Sequence, residues 1–263
     1  MKLNPHRLIL TAVLITGCAR VHIIPAREHL PERSTIAPPL AALPIGEKLT
    51  YQISWWGVPV GTVTLSATAS NEPATKGLTR LHCEAVSNAY FNAFYPVRVR
   101  MTSFVDPKTR APRRFEAYVK RRRREHQSTI TFDPGNRLAH HELPKGRSAE
   151  VPITSETQDG LSLLYHARML EISVEKEVPL TITADGKNWP LTAHILRTGT
   201  VKVANLGRFQ AVEGEIQLAY PVPFFEGARA WVWMSADSPR IPLLARIHSR
   251  IGPVTVVLVS RNK

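Results

Sequence analysis

The densest reactive chemistry in this sequence is cationic. Lys120-Arg121-Arg122-Arg123-Arg124 sets five positive charges in a row. Arginine forks grip phosphate and carboxylate groups, and clustered cations hold an anionic surface by summed charge. On a strand the run would divide, with Lys120, Arg122 and Arg124 on one face and Arg121 and Arg123 on the other. Neither face could then be buried core. The stretch must be a sheet edge, a protruding hairpin or the wall of a polar cavity. A solvated edge that only discourages strand-to-strand pairing is the plainer account of the same residues.

Other chemistry is sparser. The ten histidines include His126, His166, His194, His248 and the pair His140-His141, and no pair has the spacing of a helical metal site. No metal or cofactor is expected. Asp159, Ser162 and His166 mimic a catalytic triad on paper, but three residues on one helix project in parallel, whereas a working triad converges from separate elements. Capping by Asp159 is the simpler role. There is no G-x-S-x-G, no H-E-x-x-H and no phosphate loop. Glu84, Glu116, Glu213 and Glu215 are distant carboxylates that could converge in space. Cys83, the lone thiol once the N-terminus is set aside, is expected to be buried as a small hydrophobe.

Aromatic residues form a second set. Trp55-Trp56 adjoins a turn, Tyr90-Phe91-Asn92-Ala93-Phe94-Tyr95-Pro96 is an aromatic loop, and Val222-Pro223-Phe224-Phe225 is another. Adjacent aromatics on a strand cannot all face one core. Trp55, Trp56, Phe91, Phe94, Phe224 and Phe225 are therefore candidates for touching an apolar ligand or a partner, against ordinary packing as the alternative.

The N-terminus supplies a compartment. Lys2 and Arg7 precede the apolar run Leu8–Ile15, which is too short to span a bilayer and reads as a signal peptide. Ile15-Thr16-Gly17-Cys18 then resembles a bacterial lipobox, in which the chain is cut before the cysteine and Cys18 is acylated. Ala19 in the following position favours the outer membrane, facing the periplasm. Two or more acyl chains anchor stably, each buried CH₂ contributing about 0.8 kcal/mol. The formal charge of +13 is carried mostly by the mature chain, since cleavage removes only Lys2 and Arg7. An exported protein meets little nucleic acid, so that partner is set aside. The anionic partners of this compartment are phospholipid head groups, lipopolysaccharide phosphates and acidic polysaccharide. An envelope protein partner is the other candidate.

These residues need a scaffold. With 263 residues, 43% hydrophobic and 21% charged, the chain is long enough for a real core. Residues 18–45, with Pro25, Pro31, Pro38, Pro39 and Pro44, read as a lipidated cysteine and an extended tether, and 46–263 as a single domain. Within it, period-two alternation predicts a hairpin across Gly57-Val58-Pro59-Val60-Gly61 and further strands at 78–87, 97–105, 113–120, 126–132, 178–184, 190–197, 208–218, 229–235, 241–248 and 253–260. Asp159–Ile172 alone has helical spacing, through Leu161, Leu164, Tyr165 and Met169. The expected fold is mainly β: a curved antiparallel sheet, half-barrel or barrel-like sandwich, packed on one central helix.

An ordered set of segments resembles the DUF3108 family of bacterial exported proteins. It runs from Gly46-Glu47-Lys48-Leu49-Thr50-Tyr51 and Trp56-Gly57-Val58-Pro59-Val60-Gly61 through Tyr95-Pro96-Val97-Arg98 and Thr102–Pro107. It continues with Gln158-Asp159-Gly160-Leu161-Ser162 and Asp185-Gly186-Lys187, and ends in Trp233-Met234-Ser235-Ala236-Asp237, Arg240-Ile241-Pro242 and Gly252-Pro253-Val254. The set covers roughly 46–260. The chain departs from the family pattern in its basic run and in Gly160, where the usual helix start has proline. The resemblance implies an exported, mainly antiparallel β protein and carries no catalytic residues. A weaker likeness of architecture is to lipoprotein carriers of the Lol type. The expected function is that of a lipid-anchored envelope protein that binds an apolar or amphipathic envelope component or a protein partner. The alternatives are an envelope enzyme acting on glycan or lipid, and a structural accessory of an envelope assembly.

Overall fold

The computed structural model describes residues 22–24, 36–39, 41–218 and 228–262. In chain order the strands are β1 His22–Ile24, β2 Lys48–Trp55, β3 Val58–Ala69, β4 Thr79–Ser87, β5 Val97–Val105, β6 Pro112–Arg121, β7 Arg124–Asp133, β8 Leu138–Leu143, β9 Arg147–Pro152, β10 Thr157–Gln158, β11 Glu177–Ala184, β12 Lys187–Val203, β13 Gly207–Leu218, β14 Ala228–Ser235, β15 Pro242–Ser249 and β16 Gly252–Asn262. Two short helices accompany them, α1 Ala89–Asn92 and α2 Ser162–Ala167.

The strands form one sheet in the order β10-β11-β12-β13-β14-β15-β16-β2-β3-β4-β5-β6-β7-β8-β9, with β1 added on β12. Nearly every neighbour in the sheet is also a neighbour in sequence, and the ladders are antiparallel except for the short pair β10–β11. This is the meander that short turns enforce, since parallel pairing would need long crossovers. The expected mainly β fold with a curved antiparallel sheet is what the chain adopts.

The sheet curls round the segment from Leu161 to Met169. Leu161, Tyr165 and Met169 share one continuous core cluster with Leu81 and Phe115 from one half of the sheet and Val201 and Ala211 from the other. That cluster forms a continuous apolar core inside the curl. Closure by backbone hydrogen bonds fails between β9 and β10, and side chains bridge the gap: Asn188 Nδ2 donates to the Pro152 carbonyl at 2.6 Å, and the backbone N–H of Gly186 donates to His141 Nδ1 at 3.2 Å.

The central helix is shorter than its spacing predicts. It spans Ser162–Ala167 rather than Asp159–Ile172. Asp159 caps it without belonging to it: one carboxylate oxygen accepts the N–H groups of Leu161 and Ser162, both at 2.8 Å, and the other accepts Ser103 Oγ–H at 2.6 Å. Past Ala167 the backbone is drawn away by two arginines. Arg168 turns inward to a bidentate pair with Glu47 at 2.7 and 2.9 Å, and Arg240 takes the Leu170 carbonyl. Strands β8, β9 and β10 and the short β1 were not legible as periodic segments. Strand β12 is twice the length that its alternation suggests, 17 residues from Lys187 to Val203.

Packing also begins before residue 46. Leu43 is buried in the core, Ile36 packs on Val212 and Ala236, and the Ala37 backbone is held on both sides. Its N–H donates to Ala236 O at 2.8 Å and its carbonyl accepts Arg240 Nη2 at 2.7 Å.

Candidate functional site

In an antiparallel meander, every second connection leaves the sheet at the same end. One end therefore carries the β2–β3 turn at 56–57, the β4–β5 loop at 88–96, the β6–β7 turn at 122–123 and the β15–β16 turn at 250–251. These connections bring together the basic run and most of the aromatic candidates, which are far apart in sequence.

The basic run forms the tip of the β6–β7 hairpin. Arg121 pairs with Arg124 across a two-residue turn, and Arg122 there has φ of +52°. A left-handed backbone is uncommon for arginine and turns this side chain across the hairpin tip. The Arg122 N–H donates to Pro96 O at 2.9 Å, and its guanidinium lies 5.7 Å from the Tyr95 ring centre. Tyr95 and Arg121 to Arg124 line a cleft of about 650 Å³. Lys120 stands apart from it, paired with Glu125 at 2.5 Å. That contact holds the lysine above its ordinary range and the glutamate below its own. Among the described residues no carboxylate ion-pairs with Arg122, Arg123 or Arg124. Repulsion among Arg122, Arg123 and Arg124 is left to solvent or to an incoming anion.

Aromatic rings continue from the hairpin along the same end. Tyr95 is 6.4 Å from Phe91, and Phe91 is 6.3 Å from Trp55 in an edge-on contact. Asn88 fixes this loop: its side-chain oxygen accepts the Phe91 N–H at 2.8 Å, and its Nδ2 donates to Pro59 O at 2.7 Å. Tyr90 and Phe94 meet edge to face at 5.6 Å and are 70% and 66% exposed. Trp55 and Trp56 both direct Nε1 at the Ile251 carbonyl, at 2.8 and 3.4 Å. Trp56 holds φ of +51° in its turn and is 66% exposed. A side chain at Gly252 would collide with the Trp56 indole, so glycine there lets the ring lie against the next turn. Val58 and Ile251 complete the exposed apolar band.

Of the residues singled out from sequence, Trp55, Trp56, Phe91 and Phe94 share one end with Arg121, Arg122, Arg123 and Arg124. Phe224 and Phe225 lie outside the described residues, as does Cys18. Val58 and Ile251 were not picked out. Their signal is the parity of the turns rather than their own type.

Three of the four carboxylates singled out from sequence are occupied elsewhere. Glu116 bonds Arg114 and Glu213 bonds Arg197, each at 2.7 Å, and Glu215 is held by Arg229. Asp159 is buried, which raises its pKa against the lowering effect of Ser103, Ser162 and Leu161. Ser162 Oγ accepts the Asp159 N–H, so these two residues cap one another rather than activate a nucleophile. Cys83 is buried, and desolvation pushes its thiol up to about 12. Among the described residues no three His, Cys, Asp or Glu side chains gather as metal ligands, and no helix is long and apolar enough to cross a membrane.

The fold and this end of it define a nearly closed, mainly antiparallel β-barrel-like protein with a basic and aromatic rim. A family described as Protein of unknown function (DUF3108) matches residues 50–259, and the chain belongs to that family. Among solved structures it is similar to a β-barrel-like protein of domain of unknown function DUF1849 from Brucella abortus. The two share 12% identity, with a TM-score of 0.55, over 82% of this chain and 96% of that one. That likeness is one of fold. No curated protein matches the chain.

Proposed function

We propose that this is a lipid-anchored, non-enzymatic protein of the bacterial cell envelope that binds an anionic amphipathic component through the rim. Cys18 is the acylation site, and the outer membrane facing the periplasm is the expected location. The observation that carries the binding role is the junction of the Arg121–Arg124 cleft with exposed Trp56, Tyr90 and Phe94 at one end of the barrel. Arginines over a phosphate layer and aromatic rings at the boundary between head groups and acyl chains are the two halves of interfacial lipid recognition. Exposed aliphatic side chains at Val58 and Ile251 favour lipid over polysaccharide, since they have nothing polar to offer a sugar.

The continuous apolar core inside the curl argues against carriage of a ligand there. The dispersed carboxylates, each of Glu116, Glu213 and Glu215 taken up by an arginine, argue against a two-carboxylate hydrolase. The test is native mass spectrometry of the detergent-extracted protein. The expected spectrum shows acyl mass on Cys18 and co-purified anionic lipid, lost when Arg121, Arg122, Arg123 and Arg124 become glutamine. A glycan in place of lipid, or lipid retained by that variant, would contradict the rim as a lipid site.

A further inference from the structure

The described stretches before residue 42 and the rim occupy opposite ends of the barrel. Strand β1 pairs antiparallel with β12, His22 opposite Lys202 and Ile24 opposite Thr200. Strand β12 starts beside the rim-end turn at 185–186 and finishes at Val203, so the first residue of β1 lies at the far end. The pairing uses a stretch of β12 that β11 leaves open, because the β11 ladder stops at His194. A second contact is independent of β1. Ala37 is held by Ala236 and Arg240 in the β14–β15 loop, and Ala41 O accepts Arg110 Nη2 from the β5–β6 loop at 3.0 Å. Both loops also belong to the far end.

Three residues separate Cys18 from His22, and the four steps between them reach about 14 Å even when fully extended. Strand β3, with 12 residues, is about 40 Å long, so with the usual strand tilt the barrel wall is about 30 Å tall. An anchor at Cys18 therefore cannot set the Arg121–Arg124 hairpin end-on against its own leaflet while β1 stays paired, and only a barrel lying on its side would bring both to one surface. We infer that the rim projects away from the membrane that holds the anchor and engages a second anionic lipid surface in trans. The inference rests on the lipid-binding role proposed above and adds a direction to it.

The experiment uses full-length, acylated protein reconstituted into anionic vesicles, then mixed with a second, dye-labelled anionic population. A free tether would let the rim bind its own vesicle, where local concentration is overwhelming, and no bridging would follow. The strapped chain predicts capture of the second population, about tenfold above protein-free vesicles, declining with salt and lost in the variant with glutamine at 121–124. The companion measurement takes the chain beginning at Ala19, which keeps every described element, and sediments it with the same vesicles. If that chain binds but the anchored protein bridges nothing, the rim faces its own leaflet and the trans orientation is overturned. If neither binds, the lipid-binding role itself fails. Full-length protein without acyl mass at Cys18 would remove the anchor and the direction with it.

Discussion

His141 Nε2 lies 2.9 Å from Thr183 Oγ1, across the one seam where the sheet fails to close. The other ring nitrogen of His141 accepts the Gly186 N–H, so Nε2 carries the proton and donates to threonine. A neutral imidazole thus latches β8 to the β11–β12 hairpin. Burial depresses its pKa from 6.5 to about 4.

The latch makes stability pH-dependent in a definite direction. Folded His141 binds its proton more weakly than the unfolded chain does, so its contribution is complete above about pH 6.5 and is lost as pH falls towards 4. The full effect is about 3 kcal/mol. Urea unfolding between pH 7 and pH 4 should show it. His141→Gln should lower stability at pH 7 and flatten this acid limb. An unchanged limb would mean that other groups govern it.

Asp159 supports the central helix from outside it. Asp159→Ala removes acceptors from Ser103 and from two backbone N–H groups, at a cost of about 2–4 kcal/mol. Asp159→Asn keeps one acceptor and should lose less. Equal losses from the two substitutions would show that charge rather than capping geometry matters there.

The pair Glu47–Arg168 is buried at 2.7 Å, with the two side chains 5% and 1% exposed. Glu47→Gln leaves the arginine charge uncompensated and should cost about 3–5 kcal/mol. Replacing both residues with apolar ones should cost less than the single change. A double-mutant cycle by chemical denaturation measures the difference.

Cys18→Ser should release the protein from membranes, because it removes the proposed acyl attachment. Fractionation of cells expressing the variant checks this. A variant that still sediments with membranes and remains unprocessed would mean that the Leu8–Ile15 run acts as the anchor.

The strands with clean alternation were legible in sequence, and the reason others were not is visible in β8. Its inward positions are Ala139 and His141, a small residue and a polar one, so the period is present without its hydrophobic signal. In β12, Arg197, Thr198 and Thr200 similarly mask a strand that continues to Val203. The α2 helix was overestimated because Met169 and Leu170 keep helical spacing while Arg168 and Arg240 dictate the backbone. The arginines and most of the aromatic rings of the rim could be named from residue type alone, whereas Val58 and Ile251 could not. Their assembly depends on which turns share an end, a property of the whole meander that no single segment contains.

Sedimentation of the chain beginning at Ala19 with anionic and neutral vesicles, over a series of salt concentrations, tests the rim most directly. Each arginine near the surface is worth about 1 kcal/mol, or about fivefold in affinity, and salt screens that part. Trp56→Ala and Phe94→Ala should weaken binding by about 1–2 kcal/mol each with little change in salt slope, since they remove apolar contact. The account predicts binding to anionic vesicles that falls steeply with salt and nearly vanishes when Arg121, Arg122, Arg123 and Arg124 are glutamine, with the fold intact. Binding that is equal on neutral vesicles, or that survives those four substitutions, would contradict it and leave the hairpin as a solvated edge.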